Sequence, residues 1–253
     1  MADVLFWLAL TAYVAAAVAY VSPRSERLAR WGVRVGWLAQ TALLVAQAAR
    51  ADGFPWDDWA GSLNLFVWLV VGAYLIWGCK PRYRLLGLVV MPVAAVLFAL
   101  ARVGGGTSLG ARSHYSNLFL ILHVGLVLAA FAGFTLAAGL SGLYLWQARR
   151  LKRHSSDILK VRMPSLVVLD RVARRTIVVA TGLFTLGIGV GLVRLGEDGG
   201  GLDALMLVTF VAWAVYAGYS ALRLHGRIGA WVALAGFALV ALARLGLQLT
   251  HFS

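Results

Sequence analysis

Five histidines punctuate this chain, and three of them lie in or beside apolar runs: His123 in "YSNLFLILHVGLVLAAF", His225 in "LRLHGRIG" and His251 in "LGLQLTHFS". A charged side chain at the centre of a membrane span costs about 2.5–3.5 kcal/mol on insertion scales, so an ionisable group inside such a run marks a candidate site. Two neutral imidazoles reaching one leaflet from helices distant in sequence suit bis-axial ligation of a haem iron, with the macrocycle in an interhelical groove. They suit zinc less well, because a structural zinc takes four ligands and no Cys, Asp or Glu stands at metal spacing beside either residue. Arg244, seven residues before His251, can hold a carboxylate bidentately, and haem carries two propionates. The plainer readings stay open on spacing alone. His123 can be a core histidine bonded to a helix carbonyl, His251 a frayed terminal residue, and Arg244 can snorkel or pair with Asp198 or Asp203. His154, among Arg and Lys, reads as solvated. His114 faces a ligand or water. Trp56, Trp59 and Trp68 fit either a porphyrin face or an interfacial aromatic belt.

The elements that must position these groups follow from composition. A chain of 253 residues with 61% hydrophobic content, 13% charged residues and a mean hydropathy of +0.82 lies far outside the range of soluble domains. A net charge of +13 could point to nucleic acid, but the basic residues separate apolar runs instead of clustering on a solvated domain, so nucleic acid is not expected as a partner. The single cysteine, Cys79, excludes an internal disulfide and any CxxC motif. Apolar runs near 3–22, 31–49, 62–79, 85–101, 117–146, 176–195, 203–223 and 230–250 have roughly the 20 residues that cross a hydrocarbon core. The expected fold is therefore all-α, a polytopic membrane bundle of about eight transmembrane helices. The first run follows Asp3 without a preceding Lys or Arg, so it reads as a retained helix and not a signal peptide.

Orientation comes from the loops. Alternate loops hold eighteen of the 23 Lys and Arg, nine of them between Arg149 and Arg175. The opposite loops carry Asp52, Asp57, Asp58, Glu197, Asp198 and Asp203. The basic side is expected to be cytoplasmic and both termini external. His123 and His251 then share the external leaflet and His225 falls at the inner end of the seventh helix. The chain reads as one transmembrane domain, 1–253, with a basic cytoplasmic loop at about 148–175. Within that loop Ser165 offers a helix start, and Leu166, Val167, Leu169 and Val172 give an apolar face expected to lie along the inner surface. "VGGGTSLG" and "EDGGG" read as external turns, neither with the Gly-Lys-Ser/Thr ending of a phosphate loop.

Several segments together resemble the CcsA/CcmC/HemX superfamily of membrane haem-handling, or cytochrome c assembly, proteins. "WAGSLNLFVWLVVGAYLIW" is similar to that family's early Ser-Leu segment, and "VVMPVAAVLFAL" to its proline-bearing fourth helix. "NLFLILHVGLVLAAFAGFTLAAGLSGLYLWQARRLK" resembles the segment with its first external haem-ligand histidine. "MPSLVVLDRVARRTIVVATGLFTLGIGVG" resembles its Pro-Ser-Leu, Leu-Asp stretch, and "AWAVYAGYSALRLHGRIGAW" its Leu-His-x-Arg helix. "GLQLTHFS" matches the position of its second external histidine. The resemblance implies that His123 and His251 are axial ligands of haem iron (haem b as cofactor) and that His225 corresponds to the family's inner, membrane-embedded histidine. It also implies a bacterial cytoplasmic (inner) membrane location. The cytochrome-assembly branch carries a Trp-rich external loop ending in Asp-Pro-Lys between the sixth and seventh helices. Here that loop is "RLGEDGGGLDAL", without tryptophan and with Asp203-Ala204-Leu205 in its place. The chain therefore looks closest to the HemX-like branch, associated with haem biosynthesis and with control of glutamyl-tRNA reductase.

The leading expectation is a binding protein, not an enzyme, that transfers, exports or senses haem at the external face, with Arg244 and His225 also in the cofactor's surroundings. Its partners would be haem, the lipid bilayer and a cytochrome c assembly partner. The alternative is a membrane regulator or scaffold that controls glutamyl-tRNA reductase through the basic loop. A solute transporter is disfavoured, because no matching pair of broken half-length segments is present, although Gly182, Gly187, Gly189 and Gly191 permit close helix packing.

Overall fold

The computed structural model describes residues 2–22, 25–51, 56, 58–77, 84–109, 118–152, 164–198 and 204–250, without the side chains at 77, 84, 85, 118–120, 194–198, 204, 205 and 242–250. These residues form eight α-helices: α1 Ala2–Val21, α2 Glu26–Ala48, α3 Trp59–Trp77, α4 Arg84–Val103, α5 Leu118–Lys152, α6 Leu166–Asp198, α7 Ala204–Ala221 and α8 Gly226–Thr250. Ala2–Val21, Trp59–Ile76, Leu86–Val103, Ile121–Lys152 and Leu166–Val193 are long and apolar enough to cross a membrane, and Met206–Ala221 and Gly226–Ala241 are shorter apolar stretches. The all-helical, multi-pass membrane character expected from composition holds. α2 is less apolar than these five because Arg34, Gln40 and Gln47 interrupt it, and two of those three residues turn out to be buried.

The chain divides into two compact units, Met1–Val124 and Gly125–Ser253. In the first, α1 to α4 pack with alternating direction. Phe6 and Tyr13 of α1 meet Phe98 of α4 at ring centroid distances of 5.0 and 6.1 Å. At one end Asp3 pairs with Arg102, bringing the start of α1 to the end of α4. At the other, the Tyr74 hydroxyl donates to that of Tyr20 at 2.9 Å. The turn "GGGTS" closes on the end of α4, where Gly106 N–H donates to Ala101 O at 2.9 Å, and folds back onto α3, where Asn64 Nδ2 donates to Gly106 O at 3.0 Å. A Cβ at Gly106 would lie 2.2 Å from the backbone of Ala60, an approach only glycine allows. Gly106→Val is expected to shift this turn and lower the thermal midpoint in detergent, since forced overpacking costs about 1–3 kcal/mol.

In the second unit the core is aromatic. Phe134 of α5 stacks on Tyr216 of α7 at 3.8 Å and 3° and meets Phe184 of α6 edge-on at 5.8 Å. Small residues let the helices close up: Ala180 Cβ lies 2.7 Å from where a Cβ on Gly133 would sit. Of the α6 glycines, Gly187 packs tightly against Val127, whereas Gly182 and Gly189 meet nothing. The segment from Leu166, expected along the inner surface, is continuous with the sixth helix and forms its first three turns. No breaker separates Val172 from Ile177, and Leu169 and Ala173 are buried in line with Ile177 and Ala180, so the helix runs on unbroken from Leu166 to Asp198. The rest of the basic loop, 153–163, lies outside the described residues.

Candidate functional site

His123 occupies the second turn of α5, two residues before the start of the second unit on the same unbroken helix. It is half-buried, and its neighbours Ile121 and Leu122 are exposed. An imidazole at the edge of an apolar surface is the donor chemistry that suits a porphyrin, since the macrocycle buries apolar area and its iron needs only two protein donors. Among the described residues no group of three or more His, Cys, Asp or Glu could hold a metal ion, so a multi-ligand cation site has no donor set there. The side chain of Arg244 and all of His251 lie outside the described residues, as do His114 and His154. The expected pairing of His123 with His251 thus falls outside the described residues.

The course of the helices can be followed inside the second unit. Gln147 near the end of α5 donates from Nε2 to Pro164 O, just before α6, at 3.1 Å. Asp170 near the start of α6 accepts, on Oδ1, the N–H of Gly226 at the start of α8, at 2.8 Å. Arg149 of α5 stands over the ring of Trp231 of α8 at 5.9 Å. One end of this unit thus gathers the end of α5, the starts of α6 and α8 and the end of α7. α5 and α8 run antiparallel, and the C-terminus of α8 points away from the basic end.

His225 sits in the turn between α7 and α8, exposed, with Nδ1 3.1 Å from Arg223 O. The turn uses two left-handed residues, Arg223 at φ 48° and Gly226 at φ 66°. Composition and spacing gave no hint of Asp170, which is one of two acids among the nine basic residues of 149–175. Its carboxylate meets the positive N-terminus of α8 and ties the Leu-Asp stretch to the Leu-His-x-Arg stretch, fixing the turn that carries His225. Asp170→Ala is expected to cost about 1 kcal/mol, as for loss of a helix cap, while Asp170→Asn, which keeps an acceptor, stays near the parent. Thermal unfolding in detergent compares the two.

The tryptophans considered for a porphyrin face belong to a polar cluster in the first unit. Trp68 stacks on Trp37 at 5.3 Å and 13° and donates to Thr41 Oγ1 at 2.7 Å, while Trp37 donates to Trp68 O at 3.1 Å. Trp56 donates to Gln47 Oε1 at 3.3 Å. The ring of Trp59 lies against Gly104. Beneath them Tyr13 donates to Gln40 Oε1 at 2.7 Å. Gln40 Nε2 donates to Asn64 O and Oδ1 at 3.0 and 2.9 Å. Asn64 Nδ2 donates to Gln47 Oε1 and Gly106 O at 3.1 and 3.0 Å, and Gln47 Nε2 donates to Gly106 O and Ser108 O at 3.1 and 2.9 Å. Gln40 and Asn64 are 0% exposed and Gln47 is 2%. All six amide N–H groups of the three carboxamides are used, so the cluster is fully spent as a structural lock.

The fold is thus that of a multi-pass helical membrane protein, with a half-buried histidine near the start of its fifth helix and an exposed one in a turn pinned by a carboxylate. The chain belongs to the cytochrome c assembly protein family, whose model it matches over residues 56–252. It is similar to protein HemX of Brevibacillus brevis, at 28% identity over 76% of this chain and 72% of that protein. It is also similar to the cytochrome c biogenesis protein CcsA of Gloeothece citriformis, at 26% identity over 97% of this chain and 92% of the relative, and to that of Microcystis aeruginosa, at 24% over 96% and 91%. No solved structure matches it.

Proposed function

We propose that the chain acts as a single haem-handling domain in the bacterial cytoplasmic membrane, with the basic helix ends inside and both termini outside. It binds haem b at the external face and transfers, exports or senses it in cytochrome c assembly or haem biosynthesis. The observation that carries this reading is the extent of the family match, which covers His123, His225, Arg244 and His251 together. In this reading His123 and His251 ligate the iron, Arg244 holds a propionate and His225 serves the inner side. Bound haem supplies a redox-active, ligand-accepting iron. The protein's part is to bind, orient and shield it by coordination and charge pairing, without bond-making catalysis. The short "RLGEDGGGLDAL" segment, free of tryptophan, and the similarity to HemX favour the HemX-like branch over ligation of haem to a cytochrome.

Haem content tests this reading. Full-length protein purified in detergent and assayed as the pyridine haemochrome is expected to retain b-type haem at about one per chain after loading and washing. Retention no higher than that of an unrelated membrane protein overturns it. A second reading, regulation of glutamyl-tRNA reductase or an assembly partner through the loop at 148–175, is favoured by the nine basic residues there and by the exposure of Val167. It requires no haem.

A further inference from the structure

The first unit carries an arginine face that the haem reading does not use. Arg27, Arg30 and Arg34 of α2 are spaced three and four residues apart and share one side of the helix. With Trp31 they line a groove of about 170 Å³. Arg34 stands over the Trp31 ring at 5.2 Å. The Arg30 Nε is buried and has no hydrogen-bond partner. Glu26 also has a buried oxygen without a partner, and none of the four lining residues is acidic, so the lining is positive.

We propose that this groove binds the phosphate of an anionic phospholipid headgroup. Guanidinium groups present fixed N–H forks that match phosphate oxygens, and three of them line this groove. The surface running on from the groove argues for a lipid over a free phosphate. Leu28, Trp31 and Leu38 are 66%, 61% and 60% exposed, an apolar track along the helix on which the acyl chains of a headgroup-bound lipid can lie. The second unit repeats the pattern at its basic end, where Arg150 stands over Trp146 at 4.6 Å and Arg149 over Trp231 at 5.9 Å. Arginine resting on tryptophan is the arrangement expected at headgroup level, with an apolar body below and a charge above.

Native mass spectrometry of the full-length protein, titrated in detergent with phosphatidylglycerol and with phosphatidylcholine, tests the site. The parent is expected to bind one phosphatidylglycerol at least five-fold tighter than phosphatidylcholine. Arg30→Gln should weaken that binding about five-fold, the usual contribution of one basic residue near an anionic surface, and Arg27→Gln/Arg30→Gln/Arg34→Gln should abolish the preference. Arg30→Lys, which keeps charge but loses the fork, should fall between and remains readable if the triple variant does not fold. Arg149→Gln/Arg150→Gln should leave this tight binding intact. Undiminished phosphatidylglycerol preference in Arg30→Gln or in the folded triple variant overturns the proposal. So does displacement of the lipid by equimolar inorganic phosphate, which would make the groove a plain phosphate site.

Discussion

Replacement of His123 or of His251 by alanine is expected to convert a low-spin haem spectrum into a high-spin one or abolish it, because in the proposed site each imidazole would supply one of the two axial bonds. Loss of a single strong-field ligand changes the spin state outright, so the effect is qualitative, with sharp α and β bands disappearing from the reduced protein. His154→Ala, in the basic loop, should leave the spectrum untouched. Added imidazole should restore the low-spin spectrum of His251→Ala, which separates loss of a ligand from loss of the fold. A low-spin spectrum that persists in both alanine variants would assign the iron to other residues.

The second large effect is expected at Gln40. Gln40→Leu removes the acceptor of the Tyr13 hydroxyl and both donors that reach Asn64, and Tyr13, Gln40 and Asn64 are all 0% exposed. A buried hydroxyl and a buried carbonyl oxygen lose their partners together, at about 1–3 kcal/mol each. Helices unfolded within a membrane find substitute partners, which lowers such values, so a total of about 2–4 kcal/mol is expected. Combining it with Tyr13→Phe should recover about 1 kcal/mol, because the orphaned hydroxyl is then gone. That non-additivity, measured by a double-mutant cycle in thermal or denaturant unfolding, distinguishes a hydrogen-bonded lock from simple loss of packing. Equal and additive effects would contradict it.

What the sequence could and could not reveal follows from the range of each signal. Apolar runs report spans because the bilayer imposes their length, and all eight emerge as helices. Their ends are less legible: α6 begins ten residues before its expected span, since a short amphipathic stretch beside a long apolar one has the same period whether it lies on the surface or continues inward. The carboxamide lock was hidden for a different reason. Gln40 and Gln47 are seven residues apart and share a helix face, a usable sign, but their partners Asn64 and Gly106 come from another helix and a turn that no local period connects. Asp170 and Gly226 are likewise 56 residues apart. The histidines were conspicuous as ionisable groups in or beside apolar runs, yet spacing alone left ligand and core readings open, and resemblance supplied the choice.

Two-histidine ligation is tested by the oxidised and dithionite-reduced absorption spectra of the full-length parent, purified in detergent and loaded with haem. A narrow low-spin spectrum in both states, unchanged by added imidazole because both axial positions are filled, is the predicted result. A parent that leaves haem spectrally free at saturation, or binds it only in a high-spin form, would contradict two-histidine ligation.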